Sequence, residues 1–503
     1  MAELLINYAP YETRVALVEE GQLVEFYVER PKEKGVVGNI YKGRVVRVLP
    51  GMKAAFVEVG LSRTAFLYGG DFLPILEGEE LSGEPLESAA LTEVLREGQE
   101  ILVQVIKEPV GSKGARLSTN ITLPGHYLVY LPYMSHVGVS RKIRNEAERE
   151  RLRHLIEEIR PPGTGWIART AAEGAGAEEL RLEMDFLLSL WEEISARAER
   201  VKAPALVYEE LEASLRAVRD LLTQEVSSVV IDDRKEYQKI LDFLSRAAPH
   251  LKGCVRLHEG PRDLFETYGI EADPRRLLSS RVWLKSGGFI VIEPCEAFTA
   301  IDVNTGRYVG KRDLEDTVFK TNLEAAREIA YQLRLRNIGG LIIIDFIDME
   351  DPGHREEVYQ TLKEALKRDR AKTAVKPITD FGILEMTRER RRESLYEVFQ
   401  ERCPHCGGEG RLKSRRTICY EIFRRLERMG PHVKGKVVEV ELHPEVGEVL
   451  AEEADFLGEI ESRYGFELRV VPRGELPWWE YKFVLKNDRL EAQNLPREKH
   501  ASG

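Results

Sequence analysis

No stretch of this chain is long and apolar enough to cross a membrane, since a spanning helix needs about 20 mostly apolar residues. The N-terminus also lacks a basic segment followed by an apolar core, so we expect no secretory signal peptide. An odd and sparse set of cysteines is not a disulfide framework, and we expect a cytoplasmic protein in a reducing compartment. The cysteines are Cys254, Cys295, Cys403, Cys406 and Cys419.

Positive charge is in deficit as well: 74 Lys and Arg stand against 85 Asp and Glu, and the formal net charge is −11. Nucleic-acid-binding proteins are often basic, so this total counts against that function. Binding depends on where the positive charge lies, however, and an acidic protein can carry a basic channel. With 503 residues the chain is too long for one core, and we expect about two to five domains.

Short apolar runs punctuated by glycine fill the first 119 residues. Residues 4–28 alternate apolar and polar and break at Glu20-Gly21, which predicts a strand hairpin or meander. Residues 35–73 and 99–119 hold denser short runs, which predict a small β-barrel. Residues 74–92, between them, are expected to form a surface insertion.

The predicted barrel carries aromatic and basic side chains that suit a single nucleic-acid strand. Aromatic rings stack on bases, and cations follow the phosphates. The alternative for either phenylalanine, taken alone, is a place in the barrel core. The residues concerned are Tyr41, Phe56, Phe66, Lys42, Arg44, Lys107 and Lys113.

Helical periodicity and charge patterning appear in several segments of the chain. The predicted helices are residues 146–159, 179–201, 209–225, 354–368 and a basic helix near 387–400.

Two aspartates each end a strongly apolar strand. Asp302 ends a hairpin-like pair of strands at residues 289–302, and Asp345 ends the strand at residues 341–345. A long predicted helix at about residues 316–337 joins the two strands. Strand, helix and strand in this order predict a crossover unit with a parallel sheet. Ligand sites gather at the carboxyl ends of such strands, so the two carboxylates are expected to lie together.

A pair of carboxylates can hold one Mg²⁺, which keeps water or phosphate oxygens at its other positions. Such a metal can activate water and neutralise charge on a scissile phosphate. Asn304 lies two residues beyond Asp302 on the same side of the strand and could orient the phosphate or the water. The alternative is that the aspartates cap helices or begin turns.

Cys403-Pro-His-Cys406 has the spacing of a Zn²⁺ knuckle and is followed by glycines. A closed tetrahedral site needs four ligands, and no second such motif exists in the chain. Half a site implies that the other half comes from a second chain. A redox pair and a free thiol pair are the alternatives.

Arg169-Thr170 pairs a guanidinium with a hydroxyl, which suits a terminal phosphate; a solvated strand end is the alternative. The basic run from Arg388 to Arg392 either contacts phosphates or forms a solvated helix face.

Taken in order, several of these strings resemble the ribonuclease E/G family over almost the whole chain. They are Gly38-Asn-Ile-Tyr-Lys-Gly43, Ala54-Ala-Phe-Val57, Ala300-Ile-Asp-Val-Asn304, Thr321-Asn-Leu-Glu-Ala-Ala326, Gln332-Leu-Arg-Leu-Arg336, Gly339-Gly-Leu-Ile-Ile-Ile-Asp-Phe-Ile-Asp-Met349, Phe381-Gly-Ile-Leu-Glu-Met386 and Cys403-Pro-His-Cys406.

The resemblance implies an α+β multidomain layout. Its parts would be an RNase H-like domain without RNase H catalysis, split between residues 1–35 and 216–279; an S1 (OB-type) barrel at 36–119; a 5′-sensor region at 120–215; a DNase I-like α/β catalytic domain at 280–400; a zinc link at 401–415; and a small mixed dimerisation domain at 416–503.

The resemblance further implies an endoribonuclease that cuts single-stranded, often A/U-rich RNA to 5′-phosphate and 3′-hydroxyl ends, in rRNA processing and mRNA decay. Asp302 and Asp345 would hold Mg²⁺, with Asn304 assisting. The barrel residues Phe56, Phe66, Lys107 and Lys113 would bind RNA. Val129, Arg169, Thr170 and Lys372 would form the 5′-monophosphate sensor. Cys403 and Cys406 would share Zn²⁺ with the same pair of a partner in a homodimer, and dimers could pair into tetramers.

Two departures from the family pattern matter. The family's Asp-Arg-Ala-Arg string reads Asp369-Arg370-Ala371-Lys372 here, and lysine offers a point charge without a bidentate fork, so phosphate sensing is expected to be weaker. The long C-terminal scaffold of larger members is absent, which indicates a short member. The alternative functions are a non-catalytic S1-type RNA-binding protein and a zinc-bridged structural dimer.

Overall fold

The structure is a computed structural model with two compact units, residues 1–399 and 400–503, which are treated separately below. The predicted insertion at 74–92 lies outside the described residues. The described residues are 2–72, 95–109, 113–223, 225–270, 274–306, 314–390 and 392–486.

Strands and helices are mixed along the chain. The strands are β1 Ala2–Ala9, β2 Glu12–Glu19, β3 Gln22–Glu29, β4 Ile40–Leu49, β5 Ala54–Glu58, β6 Ala65–Tyr68, β7 Glu100–Lys107, β8 Arg116–Ser118, β9 Leu123–Pro124, β10 Leu128–Leu131, β11 Val137–Val139, β12 Gly165–Ala168, β13 Ala205–Tyr208, β14 Val226–Ile231, β15 Val255–Leu257, β16 Arg281–Trp283, β17 Phe289–Pro294, β18 Thr299–Asn304, β19 Gly340–Asp345, β20 Thr373–Val375, β21 Ile383–Arg388, β22 Val437–Leu442, β23 Glu467–Pro472 and β24 Tyr481–Lys486. The α-helices are α1 Glu146–Ile159, α2 Ala177–Arg200, α3 Ala213–Leu221, α4 Arg234–Ala247, α5 Leu264–Thr267, α6 Pro274–Leu277, α7 Leu314–Leu335, α8 Pro352–Leu366, α9 Leu395–Phe399, α10 Arg415–Met429, α11 Pro444–Glu452 and α12 Ala454–Tyr464.

The first three strands form an antiparallel meander, as predicted, and β1 also pairs in parallel with β14. The resulting five-stranded sheet has the order β15-β14-β1-β2-β3. Side chains alternate between its two faces, so Leu4 and Ile6 enter one core while Leu5 enters another. Both faces are therefore buried, which explains why the consecutive residues Leu4, Leu5 and Ile6 are all apolar.

The predicted small barrel is confirmed. Strands β4, β5, β6, β8 and β7 pair in that order, and β7 pairs back with β4, which closes a five-stranded ring. Strand β13 adds to β4 outside the ring. Apolar residues such as Val45, Ala55, Val57 and Leu67 fill the interior.

A four-stranded sheet of order β11-β12-β10-β9 follows the barrel. The predicted helix at 146–159 matches α1, which begins where the Asn145 side chain accepts a hydrogen bond from the Glu148 N–H. Helix α2 confirms the second predicted helix, whereas the third is shorter than the predicted 209–225, because α3 covers only Ala213–Leu221. Trp166 is fully buried in the core that these elements share with the first sheet.

A six-stranded sheet of order β16-β17-β18-β19-β21-β20 completes the first unit. Strands β18 and β19 pair in parallel and α7 connects them, which confirms the predicted crossover unit. Helices α7 and α8 cover one face through a core that includes Ile301, Ile344, Ile329 and Leu362. The opposite face carries the polar and exposed side chains of the strands.

The prediction of a basic helix near 387–400 is wrong for its first part. Strand β21 continues to Arg388, and only Leu395–Phe399 is helical. Leu384 and Met386 are buried, whereas Glu385 between them is exposed, so the period of the segment is two. The Arg388 side chain is 4% exposed and donates to the Asp369 carboxylate, with Nε and Oδ2 2.6 Å apart, so it belongs to neither a solvated face nor a phosphate site.

The second unit contains a three-stranded sheet in which β22 lies between β23, in parallel, and β24, antiparallel. Helices α10, α11 and α12 pack against it through an apolar core. None of the helices in the described part of the chain combines the length and apolar character that crossing a membrane requires.

Candidate active site

Asp302 and Asp345 lie side by side on the open face of the six-stranded sheet. They are register partners in the parallel pair β18–β19. Ile301, Val303 and Ile344 point into the core, and because side chains alternate along a strand, the intervening aspartates point out. Asp345 is the last residue of its strand, whereas β18 continues two residues past Asp302, so Asp302 does not begin a turn.

Asn304 lies on the same face as Asp302. Its Nδ2 donates to Asp302 Oδ2 over 2.6 Å. A side-chain amide has two N–H groups and one carbonyl oxygen, so one N–H and the oxygen stay available to a ligand. The arrangement fixes the orientation of the Asp302 carboxylate and brings an amide group beside the aspartate pair.

The environment of the pair disfavours two negative charges. Burial raises the pKa of Asp345, and the carboxylates of Asp302 and Asp348 raise it further. Asp348 was not singled out from the sequence, although it lies three residues beyond Asp345 in the same loop. Like charges held close by the backbone attract a cation, which would relieve the repulsion.

The segment that follows β20 borders the end of β19. The Phe346 N–H donates to Gly382 O over 3.1 Å. Gly382 has φ +75°, and a Cβ there would lie 2.6 Å from Phe346 O, so only glycine fits. This contact fixes the position of the backbone just beyond Asp345.

Among the described residues, no group of three or more His, Cys, Asp or Glu side chains has the geometry of a metal site. A cation at the aspartate pair would therefore have two protein carboxylates and otherwise solvent or substrate oxygens. This donor set suits Mg²⁺, which is commonly bound through one or two carboxylates and keeps several waters.

A second group of the expected residues lies on the outer wall of the barrel. Phe56 and Phe66 are register partners, with ring centroids 5.8 Å apart, and both are half-buried and outside the barrel core. The core alternative is therefore wrong for both. On the neighbouring strands, Phe66 pairs with Arg116, and Arg116 pairs with the exposed Lys107. Lys113 is also exposed.

Tyr68 and Arg116 also belong to this surface, although they were not predicted from the sequence. Tyr68 is stacked with Phe66 at 6.4 Å, and the Arg116 guanidinium lies over the Tyr68 ring at 5.6 Å. The spacing of Phe66 and Tyr68, two residues apart in one strand, was the available signal, because it places both rings on one face.

Three other barrel residues serve the fold, contrary to the expectation of a binding role. Tyr41 is 6% exposed and belongs to the barrel core. Lys42 Nζ donates to the carbonyls of Ala198 and Val201, each over 3.0 Å, and Arg44 Nη2 donates to Ala203 O over 2.7 Å. These cations bind carbonyls at and just beyond the C-terminus of α2, where the helix leaves acceptors without partners.

The expected phosphate-sensor residues come from neighbouring strands. Val129 on β10 and Ile167 on β12 are register partners, and Arg169 follows Ile167 on the same side. The Thr170 hydroxyl lies 3.4 Å from the Ser140 hydroxyl, at the surface.

Asp220, which the sequence did not single out, ties the distant Lys372 segment to this region. Arg169 Nη2 donates to Asp220 Oδ1 over 2.7 Å, and Arg370 Nη1 approaches Asp220 O at 3.4 Å. Burial alone would raise the pKa of Asp220, but the guanidiniums of Arg219 and Arg169 hold it well below its usual range. Lys372 is exposed two residues beyond Arg370.

In the second unit, Cys403 and Cys406 are free thiols in a tight turn. The backbone N–H groups of Cys406 and His405 hydrogen bond to the Cys403 sulfur and lower the pKa of its thiol. Gly410 N donates to Cys406 Sγ over 3.3 Å. The His405 ring packs against Trp479 with centroids 5.2 Å apart. N–H donors aimed at sulfur favour thiolates, the form that binds metal.

Cys419 is a poor additional ligand for this motif. It is fully buried in α10, and burial raises the pKa of its thiol to about 11. Within the described residues, the motif therefore offers the two thiols of Cys403 and Cys406 and no third ligand.

Comparison with known proteins gives consistent matches. The family model described as "Ribonuclease E/G family" matches residues 122–391, and the one described as "RNase E/G, Thioredoxin-like domain" matches residues 402–485. Ribonuclease G of Escherichia coli (strain K12) is 44% identical over 473 residues, which cover 93% of this chain and 96% of that protein. Ribonuclease G of Haemophilus influenzae is 45% identical over 471 residues, with the same two shares. Ribonuclease E of Haemophilus influenzae is 37% identical over 503 residues, 98% of this chain and 53% of that protein.

We expect Asp345→Asn to weaken cation binding at the aspartate pair and to raise the thermal stability of the cation-free protein. Because the folded state raises the pKa of Asp345, its ionisation opposes folding at pH values above that pKa. Without divalent cations at neutral pH, Asp345→Asn should melt on the order of 1 °C higher than wild type, a gain that disappears at acid pH. Added Mg²⁺ should raise the melting temperature of wild type but not that of Asp345→Asn.

Scanning calorimetry with EDTA or Mg²⁺ measures both effects. Asp185→Asn, at an exposed position of α2, is the matched control and should respond to Mg²⁺ like wild type. Equal Mg²⁺ stabilisation of wild type and Asp345→Asn would contradict a cation site at the pair.

Proposed function

The chain belongs to the ribonuclease E/G family, and on that premise we propose that it is an endoribonuclease which hydrolyses single-stranded RNA at Asp302 and Asp345 with Mg²⁺. The products would carry 5′-phosphate and 3′-hydroxyl ends. The observation that carries the proposal is the parallel register that puts the two carboxylates side by side on an open sheet face.

In the proposed mechanism, Asp302 and Asp345 would hold the cation. When bound, Mg²⁺ supplies charge neutralisation at the scissile phosphate and activation of water. Asn304 is fixed by its hydrogen bond to Asp302, and its second N–H is placed to orient a phosphate oxygen. The side chains of the site would thus hold the cation and orient the phosphate.

The outer wall of the barrel is the proposed binding surface for the substrate. Phe56 and Phe66 offer faces for unpaired bases, and Lys107 and Lys113 offer charge for phosphates. This local concentration of cations supports RNA binding despite the net charge of −11. A/U-rich substrates, rRNA processing and mRNA decay, in the cytoplasm, are the setting that we carry over from the family.

The domain layout stated for the family is likewise our proposal. The parallel pairing of β1 with β14 supports a split first domain, and the closed five-stranded ring supports an S1-type barrel. The open sheet with α7 and α8 on one face supports a separate catalytic domain of DNase I-like type. The boundary of the two compact units, after residue 399, lies beside the proposed start of the zinc link.

A non-catalytic S1-type RNA-binding protein is the second candidate function. The barrel surface alone would suffice for it. The complete set of Asp302, Asn304 and Asp345, in contact geometry on one face, favours the nuclease.

We further propose that Cys403 and Cys406 share one Zn²⁺ with the same pair of a second copy. Two thiolates supplied with backbone N–H donors, and no third ligand among the described residues, support a half site. The homodimer, and any tetramer, follows from that sharing.

Cleavage of a short A/U-rich RNA with a 5′-monophosphate tests the proposed activity. Wild type should cut it internally with Mg²⁺ and not with EDTA. Asp345→Asn and Asp302→Asn should each lose at least about a hundredfold in rate, because one carboxylate no longer holds the cation. Gel analysis of end-labelled RNA measures the rate, with Asp185→Asn as control. RNA binding by folded wild type without any cutting would instead support the binding-protein alternative.

The sensor proposal predicts a preference for 5′-monophosphate over 5′-hydroxyl RNA. Arg169→Ala should remove the preference, and Lys372→Arg should increase it about threefold, since a guanidinium binds phosphate through two N–H groups. Competition between the two RNAs in one reaction measures the ratio. Lys376→Arg, at an exposed lysine paired with Glu385, is the control. An unchanged ratio in Arg169→Ala would exclude this residue from the sensor.

If two chains share one Zn²⁺, the zinc content should be about half an atom per protomer. Cys403→Ser and Cys406→Ser should lose zinc and shift the protein to monomer, because each removes two of the four ligands of the shared site. Elemental analysis and sedimentation measure both, with Cys295→Ser, an exposed cysteine of the first unit, as control. One zinc per protomer would contradict sharing, and two readily oxidised thiols without zinc would favour the redox alternative.

A further inference from the structure

An exposed tryptophan lies at the edge of the sheet that carries the aspartate pair. Trp283 is 63% exposed on β16. Its neighbour Val282 is half-buried and packs with Ile290 against the covered face of the sheet, so the strand itself is anchored. Isolated exposed apolar residues need no explanation, but a tryptophan grouped with other exposed functional side chains marks a binding surface.

The strand register puts this tryptophan on the same face as the aspartates. Trp283 pairs with Phe289, and Phe289 pairs with Asn304. Two strand spacings, about 10 Å, separate the backbone of β16 from that of β18. Trp283 and Phe289 are therefore aligned with Asn304 across the open face.

Arg281 is aligned across the sheet with the aspartates. It pairs with Val291, Val291 pairs with Asp302, and Asp302 pairs with Asp345. Its guanidinium carbon is 4.4 Å from the Phe289 ring centroid and 5.9 Å from that of Trp283. Within the described part of the chain it forms no ion pair. Its positive charge is thus available on the side of the sheet where an RNA phosphate would approach the aspartates.

The rings of Trp283 and Phe289 meet at a steep angle and form a corner on the sheet surface. Their centroids are 5.3 Å apart with an interplanar angle of 62°. Behind them, a Cβ at Gly306 would lie 3.5 Å from Phe289 Cδ1 and 2.6 Å from Gly287 O, and Gly306 has φ +60°, so the backbone closes tightly against Phe289. The Phe289 ring is supported from that side, whereas Trp283 remains accessible.

We propose that Trp283, Phe289 and Arg281 form a nucleotide subsite for the base and phosphate next to the scissile bond. The base stacks on Trp283, Phe289 closes the corner, and Arg281 binds the adjoining phosphate. A base within a duplex cannot reach the indole face, so the subsite requires an unpaired nucleotide. The inference rests on the proposed function, because it requires RNA to cross the aspartate pair.

This subsite gives the catalytic sheet a selectivity of its own for single-stranded RNA. The barrel surface around Phe66 lies on a different sheet and need not be altered by changes on β16. Substitutions at Trp283 should therefore act on one nucleotide position near the cut and leave the rest of the RNA contact unchanged.

Binding of a short, fluorescently labelled A/U-rich RNA in EDTA tests the subsite without cleavage. Trp283→Ala should weaken binding roughly tenfold, and Trp283→Phe should recover most of the loss because a stacking face remains. Tyr11→Ala, at an exposed aromatic on the turn between β1 and β2, is the matched control and should bind like wild type. Equal binding by wild type and Trp283→Ala would overturn the proposal.

RNA with one abasic nucleotide at successive positions identifies the base concerned. At one position adjacent to the cut, the abasic change and Trp283→Ala should together weaken binding no more than either alone. Losses that multiply at every position would overturn the stacking assignment.

The two proposals fail in different ways. No cleavage by wild type with Mg²⁺ would refute the nuclease, whereas normal cleavage together with wild-type binding by Trp283→Ala would refute the subsite alone.

Discussion

Two like charges held side by side by backbone pairing are the constraint on which the rest of the six-stranded sheet depends. The parallel register of β18 and β19 gives Asp302 and Asp345 no freedom to move apart. Repulsion is tolerated because the opposite face of the same strands is packed into a continuous apolar core under α7 and α8. The stability of that core is what allows the open face to keep an arrangement that is unfavourable without a cation.

The same arrangement, in which a packed interior supports polar or aromatic groups on an exposed face, recurs elsewhere in the first unit. On the barrel, small interior residues leave the outer wall to Phe56, Phe66 and Tyr68. Beside the four-stranded sheet, the half-buried Asp220 accepts a hydrogen bond from Arg169 Nη2 over 2.7 Å and so fixes the orientation of that guanidinium. In each place, a rigid and well-satisfied interior orients polar or aromatic groups on one side of a sheet.

The aspartate pair was predictable because it follows from local rules. Apolar alternation defined the two strands, and a helix between them requires a parallel crossover, which brings their carboxyl ends together. Contacts between distant segments were not predictable in this way. Nothing in the basic run at Arg388 indicates its buried partner Asp369, and the period-two pattern of β21 is too short to outweigh a charge pattern typical of helices.

The sequence also did not predict which face of a strand each side chain points to. Tyr41 looked exposed beside Lys42 and Arg44, yet β4 turns the tyrosine inward and directs the two cations to carbonyls around the end of α2. The corner of Trp283 and Phe289 depends on pairing across the β16–β17 hairpin, which fixes the ring contact but leaves only isolated aromatic residues in the sequence.

The pairing of β1 with β14 also has a consequence for synthesis on the ribosome. The meander emerges first, but the strand that pairs with the free edge of β1 begins at Val226, after the whole barrel and the four-stranded sheet. At translation rates of 5–20 residues per second, that edge waits roughly 10 to 45 s for its partner. During this interval an unpaired and highly apolar strand is open to other chains, so the growing protein depends on early burial or on chaperones to avoid aggregation.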